Sequence, residues 1–201
     1  MSRAKIAVLV SGGGTNLQAL IDAQTADEIR SGEIVLVISN NASAYALQRA
    51  QAAGISTAVI TKKQCGSQDA FESALIAAID NAGVDIIVLA GFMSILSARF
   101  TARYDRRILN VHPSLIPSFC GQGFYGLRVH EAALAKGVKV TGATVHYVNE
   151  IPDGGEIIMQ KAVEVLPDDT PESLQRRVME QAEWKILPAA VEAVCRALVT
   201  E

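Results

Sequence analysis

Short apolar runs alternate with segments of helical period along most of the chain. AKIAVLV (4–10), EIVLVIS (33–39), STAVI (56–60), VDIIVLA (84–90) and RRILNV (106–111) read as strands. Between them, NLQALIDA opens a helix, residues 42–54 form a second that stops at Gly54, and residues 68–83 form a third that stops at Gly83. Strand–helix alternation of this kind predicts an α/β fold with a mostly parallel sheet, helices on both faces and right-handed crossovers. GFMSILSARFTARY (91–104) mixes a loop with a short helix, residues 113–127 form a long irregular segment, and VHEAALAKG is helical.

The last third changes character. VKVTGATVHYVNE and GEIIMQKAVEVL flank the turn IPDGG and predict an antiparallel hairpin. A long helix follows over 171–198. Its apolar stripe is Leu174, Val178, Ala182, Leu187, Val191, Val194 and Leu198, and Pro188 is expected to kink or split it.

Composition narrows the function classes. Half of the 201 residues are hydrophobic, which suits one domain with a full core. The net charge of −3 comes from well-mixed acids and bases, which gives a nucleic-acid surface no support. No apolar run approaches the ~20 residues of a membrane span, and IAVLV lacks the length and flanks of a signal peptide. Three widely spaced cysteines, 65, 120 and 195, argue against a disulfide scaffold and fit a reducing, cytoplasmic setting.

Two places carry candidate chemistry. Ser11-Gly12-Gly13-Gly14-Thr15-Asn16 lies between the first strand and the first helix. It suits either a flexible turn or a cradle in which backbone N–H groups and a helix N-terminus hold a phosphate. The dinucleotide fingerprint fails, because Leu17 stands where a glycine is needed and Ser39-Asn40-Asn41 offers no ribose-binding acid; the Walker lysine is also missing. The second place is Asn110-Val111-His112 at the end of a strand. Alternation puts Asn110 and His112 on one face, Leu109 and Val111 on the other. The pair suits a capped strand end, or donors for a developing oxyanion with a histidine able to move a proton. Asp153, in the hairpin turn, serves local hydrogen bonding or meets His112 if the hairpin folds over the sheet edge. His130 and His146 read as structural. A zinc site from His112, Cys120, His130 and His146 matches no compact ligand spacing, and Ser114 lacks the nucleophile elbow.

KIAVLVSGGGTNLQALIDA, IVLVISNNASAYALQRAQAAGI, DIIVLAGFMSILSARF, ILNVHPSLIPSF and TGATVHYVNEIPDGGEII together resemble the folate-dependent glycinamide ribonucleotide branch of the formyltransferase superfamily, in order and spacing, over nearly the whole chain. The resemblance implies a Rossmann-like fold and a single formyltransferase domain over 1–201. It implies formyl transfer from 10-formyltetrahydrofolate, without a metal, to the amine of glycinamide ribonucleotide in purine biosynthesis. Asn110, His112 and Asp153 fall on the catalytic positions, with His112 protonated and Asp153 holding it charged. Gly12, Gly13, Gly14, Thr15 and Asn16 fall on the phosphate loop, and Glu183 on a contact to ribose or glycinamide. Gln68, Phe92, Met93, Ser94, Ile95, Leu96 and Asn110 fall on the folate side.

Ser94 and Gln68 stand where many relatives carry arginine, which bears on contacts to the folate glutamate tail, and the loop Phe119 to Leu127 is longer. A monomer or homodimer is implied. Hydrolysis of the formyl-folate, formylation of another amine such as a methionyl-tRNA or a nucleotide sugar, and a non-catalytic metabolite binder stand as alternatives. The first two usually need an extra domain, for which residues 1–4 and 199–201 are expected to leave no room.

Overall fold

The computed structural model describes residues 3–200; Met1, Ser2 and Glu201 of the expected domain lie outside it. A seven-stranded sheet runs in the order β3-β2-β1-β4-β5-β6-β7. Its strands are β1 (Ala4–Val10), β2 (Gly32–Ser39), β3 (Ser56–Val59), β4 (Ile86–Leu89), β5 (Ile108–His112), β6 (Val140–Tyr147) and β7 (Ile157–Glu164). β1 to β5 are mutually parallel, while β5–β6 and β6–β7 pair antiparallel. The expected hairpin is therefore the far edge of the same sheet. The helices are α1 (Thr15–Thr25), α2 (Tyr45–Ala52), α3 (Lys62–Cys65), α4 (Gln68–Asn81), α5 (Ala98–Arg103), α6 (Leu127–Lys136), α7 (Pro171–Val178) and α8 (Trp184–Thr200).

Alternation along each strand divides the core between two faces. Ile6, Val8 and Val10 of β1 join Leu109 and Val111 of β5 under α1, α2 and α8. Ala7 and Leu9 of β1 join Ile87 and Ile108 under α4 and α5, around Phe71 and Phe100. Both layers are apolar because a parallel sheet covered on each side leaves no strand face for water.

Three expectations need revision. The nine residues between Tyr147 and Ile157 form a loop rather than a tight hairpin turn, so Asp153 lies in a fold-back with φ of 55°. The terminal helix is not split at Pro188, which lies inside α8. The irregularity comes earlier, as one wider π-helical segment, Met179–Glu183. Proline supplies no N–H to the preceding turn, and the wider turn ends one turn upstream of it. The stripe then buries Leu174 through Val194, but Leu198 stands exposed where the helix runs past the core.

Candidate active site

The carboxyl ends of β1, β2, β4 and β5 share one sheet edge, because these strands are parallel. The chain order reverses between β1 and β4, which opens a crevice where ligands of open α/β sheets collect. Two loops meet there. The glycine loop follows β1, and residues 91–97 follow β4. The Met93 backbone N–H donates to the Ser11 hydroxyl at 2.8 Å, and the Asn40 amide donates to the Ser94 hydroxyl at 2.8 Å.

In the glycine loop three successive carbonyls are turned away from the crevice side of the chain. Gly12 O accepts from Ala46 N at 3.1 Å, Gly13 O from the Arg49 side chain at 2.9 Å, and Gly14 O from Gln18 N at 2.9 Å. In a trans peptide the following N–H points opposite its carbonyl, so the N–H groups of Gly13, Gly14 and Thr15 face the other way. α1 also has no side-chain cap, leaving its first-turn donors free. Together they form an anion nest. Gly14, at φ of 73°, presses on α2: an added Cβ would lie 2.6 Å from the Ala46 Cβ. Gly12 and Gly13 have no neighbour within 4 Å of an added Cβ, so packing does not require them.

The Asn16 side chain takes another direction. Its Nδ2 donates to Glu183 Oε2 at 2.7 Å. The π-helical turn ends on Glu183 and buries it, and burial pushes its carboxyl above the ordinary range, only partly offset by Asn16. A cavity of about 380 Å³ opens alongside, lined by Thr15, Gln18, Arg49, Trp184 and Lys185.

On the β4 side Met93 and Ile95 are 59 % and 81 % exposed, an apolar surface with nothing over it, whereas Leu96 is part of the core. The loop is held from below. Glu72 of α4, fully buried, accepts from Ser97 N at 2.7 Å, from the Ser97 hydroxyl at 2.5 Å and from Gln68 Nε2 at 2.7 Å. Gln68 also donates to the Ile95 carbonyl at 3.1 Å.

At the end of β5 the expected alternation holds, and Asn110 and His112 project together. Asp153 reaches them from the β6–β7 loop: its Oδ2 lies 3.5 Å from His112 Nδ1 and accepts from Gly121 N at 2.8 Å. His112 Nε2 is 2.9 Å from the Phe119 carbonyl. Both ring nitrogens thus face acceptors, an arrangement fully satisfied only by the imidazolium. Burial opposes it. Desolvation pushes the His112 pKa down, outweighing the Phe119 carbonyl and the Asp153 carboxylate, each of which raises it. Burial also pushes Asp153 up, but His146, His112 and the Gly121 N–H together hold it below the usual carboxylate range.

His146, expected to be structural, is part of this cluster. It pairs with Asn110 across β5–β6. Its Nδ1 lies 2.7 Å from the Tyr147 carbonyl, and Asn110 Nδ2 lies 3.2 Å from its Nε2. Asp153 Oδ1 is 3.6 Å from the same nitrogen. Only the cross-strand register reveals this neighbour, and it was not legible before β5 and β6 were paired. Cys120 sits nearby with its thiol pushed up by burial and by Asp153, unsuited to a nucleophile. Among the described residues no three His, Cys, Asp or Glu are arranged to hold a metal ion, so the zinc alternative has no support.

A family profile described as formyl transferase matches residues 4–191. The chain belongs to the formyl transferase family. Within that family it is 43 % identical over 188 residues to a phosphoribosylglycinamide formyltransferase of Haemophilus influenzae, covering 94 % of this chain and 85 % of that one. It is 47 % identical over 198 residues to the trifunctional purine biosynthetic protein adenosine-3 of Gallus gallus, covering 98 % of this chain but 19 % of the relative. The chain thus spans about a fifth of the length of such trifunctional formyl transferase relatives. The crystal structure of phosphoribosylglycinamide formyltransferase from Brucella melitensis superposes with a TM-score of 0.88 at 45 % identity, covering 96 % of each chain. Glycinamide ribonucleotide transformylase 1 from Symbiobacterium toebii superposes with a TM-score of 0.90 at 40 % identity, covering 97 % of this chain and 89 % of that one.

Proposed function

We propose that this formyl transferase moves the formyl group of 10-formyltetrahydrofolate to the primary amine of glycinamide ribonucleotide, a step of purine biosynthesis. The observation that carries the reading is that Asn110, His112 and Asp153 meet at the same sheet edge as the anion nest of Gly12–Asn16. The phosphate of the nucleotide sits in the nest, with Glu183 beside Asn16 facing ribose or glycinamide. The folate lies along the segment Phe92, Met93, Ser94, Ile95 and Leu96, against exposed Met93 and Ile95, with buried Leu96 anchoring the segment and Gln68 behind it. The three free cysteines suit a reducing compartment such as the cytoplasm.

The amine nitrogen attacks the formyl carbon, the carbonyl becomes an oxyanion, and the bond from that carbon to the folate nitrogen breaks as the nitrogen takes a proton. Asn110 keeps one amide hydrogen free of His146 and offers it to the oxyanion. In the resting site burial disfavours the imidazolium of His112. A developing oxyanion adds negative charge beside the ring and favours it, so the stabilisation is concentrated in the transition state. Asp153 balances that charge and, through water, carries the proton from the amine toward the folate nitrogen.

Incubation of the purified protein with both substrates should yield formylated glycinamide ribonucleotide and tetrahydrofolate in equal amounts. Asn110→Ala, His112→Ala and Asp153→Asn should each lower turnover by about 10²-fold or more, in variants that remain folded at the assay temperature. Formate release without amine formylation would instead indicate a hydrolase, and near-normal turnover in all three variants would remove the mechanism.

A further inference from the structure

Arg49 of α2 is not used by the chemistry above, yet it is tied to the glycine loop from several directions. Its Nε donates to the Gly13 carbonyl at 2.9 Å and its Nη1 to Gln18 Oε1 at 2.9 Å. Its guanidinium lies 5.0 Å from the Tyr45 ring centroid. Its Cδ lies 3.5 Å from where a Gly14 Cβ would be, so its stem packs on the loop. Among the described residues no carboxylate lies within 4.0 Å of it, although five arginine–carboxylate pairs occur elsewhere. An arginine fixed in place by neutral acceptors and a ring keeps its full charge available to whatever enters the nest.

We infer that Arg49 is a positioning residue for the phosphate of the nucleotide substrate, and the inference rests on the proposed function. Its Nε–H draws the Gly13 carbonyl toward α2, which turns the Gly14 N–H toward the anion, and its charge offsets that of the bound phosphate. Ala46 N does the same for the Gly12 peptide, but as part of the backbone it carries no charge. Arg49 is the side chain in this arrangement that both orients a nest peptide and supplies a cation.

The test compares wild type with Arg49→Met, which keeps the stem, and Arg49→Lys, which keeps the charge but loses the Nε fork. All three are first checked for equal thermal midpoints; a variant that fails is replaced by Arg49→Gln. Arg49→Met should raise KM for glycinamide ribonucleotide by about tenfold or more, while KM for the formyl-folate moves less than twofold. Arg49→Lys should fall between. Equal changes in both KM values would mark a general structural role and overturn the inference. Calorimetric titration with ribose 5-phosphate separates this from the substrate assignment. Weaker binding to Arg49→Met than to wild type upholds the role of Arg49 even if glycinamide ribonucleotide is not formylated. Equal binding by wild type and Arg49→Met, or no binding by wild type, overturns it.

Discussion

Glu72 is a fully buried carboxylate, and it persists because every nearby donor is turned to it. Burial pushes its pKa up, but Ser97, Gln68 and Arg99 outweigh that and hold it ionised below the ordinary range. Its partners lie at the end of the segment that carries Met93 and Ile95, so one side chain on α4 fixes that loop. Glu72→Gln keeps the volume but removes the charge from the Ser97 bonds. It should lower stability by about 2 kcal/mol in urea denaturation and raise KM for the formyl-folate more than KM for the nucleotide. An unchanged urea midpoint would show that the clamp does not bear on the loop. Gln68 joins this clamp through the Ile95 carbonyl. Ser94 is bound to Asn40 instead.

At the scale of elements, the junction of β1 and α1 separates a glycine needed by the fold, Gly14, from glycines whose Cβ positions are open, Gly12 and Gly13. Gly14→Ala places a Cβ on Ala46 in a left-handed backbone conformation and should cost about 1–3 kcal/mol by thermal unfolding. Gly12→Ala meets no protein atom, should leave stability within about 0.5 kcal/mol, and should still raise KM for the nucleotide because the added methyl enters the anion's space. Loss of stability in Gly12→Ala with an unchanged KM would reverse this division. The π-helical segment is a second junction of this kind. The stripe steps by four from Leu174 to Val178 to Ala182, then by five to Leu187, and that extra residue is the wider turn which ends on Glu183. The spacing was visible in the sequence, but Pro188 drew the expected irregularity to itself.

The whole molecule couples folding to pH through its buried histidines. His130 on α6 is fully buried and neither ring nitrogen has a hydrogen-bond partner among the described residues. Desolvation, reinforced by His112, pushes its pKa from 6.5 down to about 4. The unfolded chain binds a proton below about pH 6.5 while the folded chain takes it only near pH 4. Stability should therefore be flat above pH 7 and fall as pH drops from about 6.5 to about 4, by on the order of 3 kcal/mol from this residue. His130→Phe should flatten that part of the profile in denaturation series across pH. An equally steep profile in the variant would assign the slope to other groups. His112 has the same sign, since burial lowers its pKa too. Asp153 gives a slope of the same sign at lower pH: its depressed pKa stabilises the fold above the ordinary carboxylate range, and that contribution is lost as pH falls through the depressed value.

By itself the sequence determined what depends on near neighbours. The strand–helix alternation, the shared face of Asn110 and His112, the glycine loop between β1 and α1 and the apolar stripe of the terminal helix all follow from local period and backbone freedom. Tertiary structure alone decided what depends on pairing across the chain. The register of β5 with β6 brought His146 to Asn110, and the β6–β7 loop carried Asp153 to His112. Packing of α2 against the glycine loop set its carbonyls toward Ala46 and Arg49. Burial, which no local pattern measures, set the protonation preference of His112 against its own carboxylate neighbour. Contacts between residues far apart in the chain are fixed by the sheet that joins them, and the electrostatics of the site follow from how much water that joining leaves out.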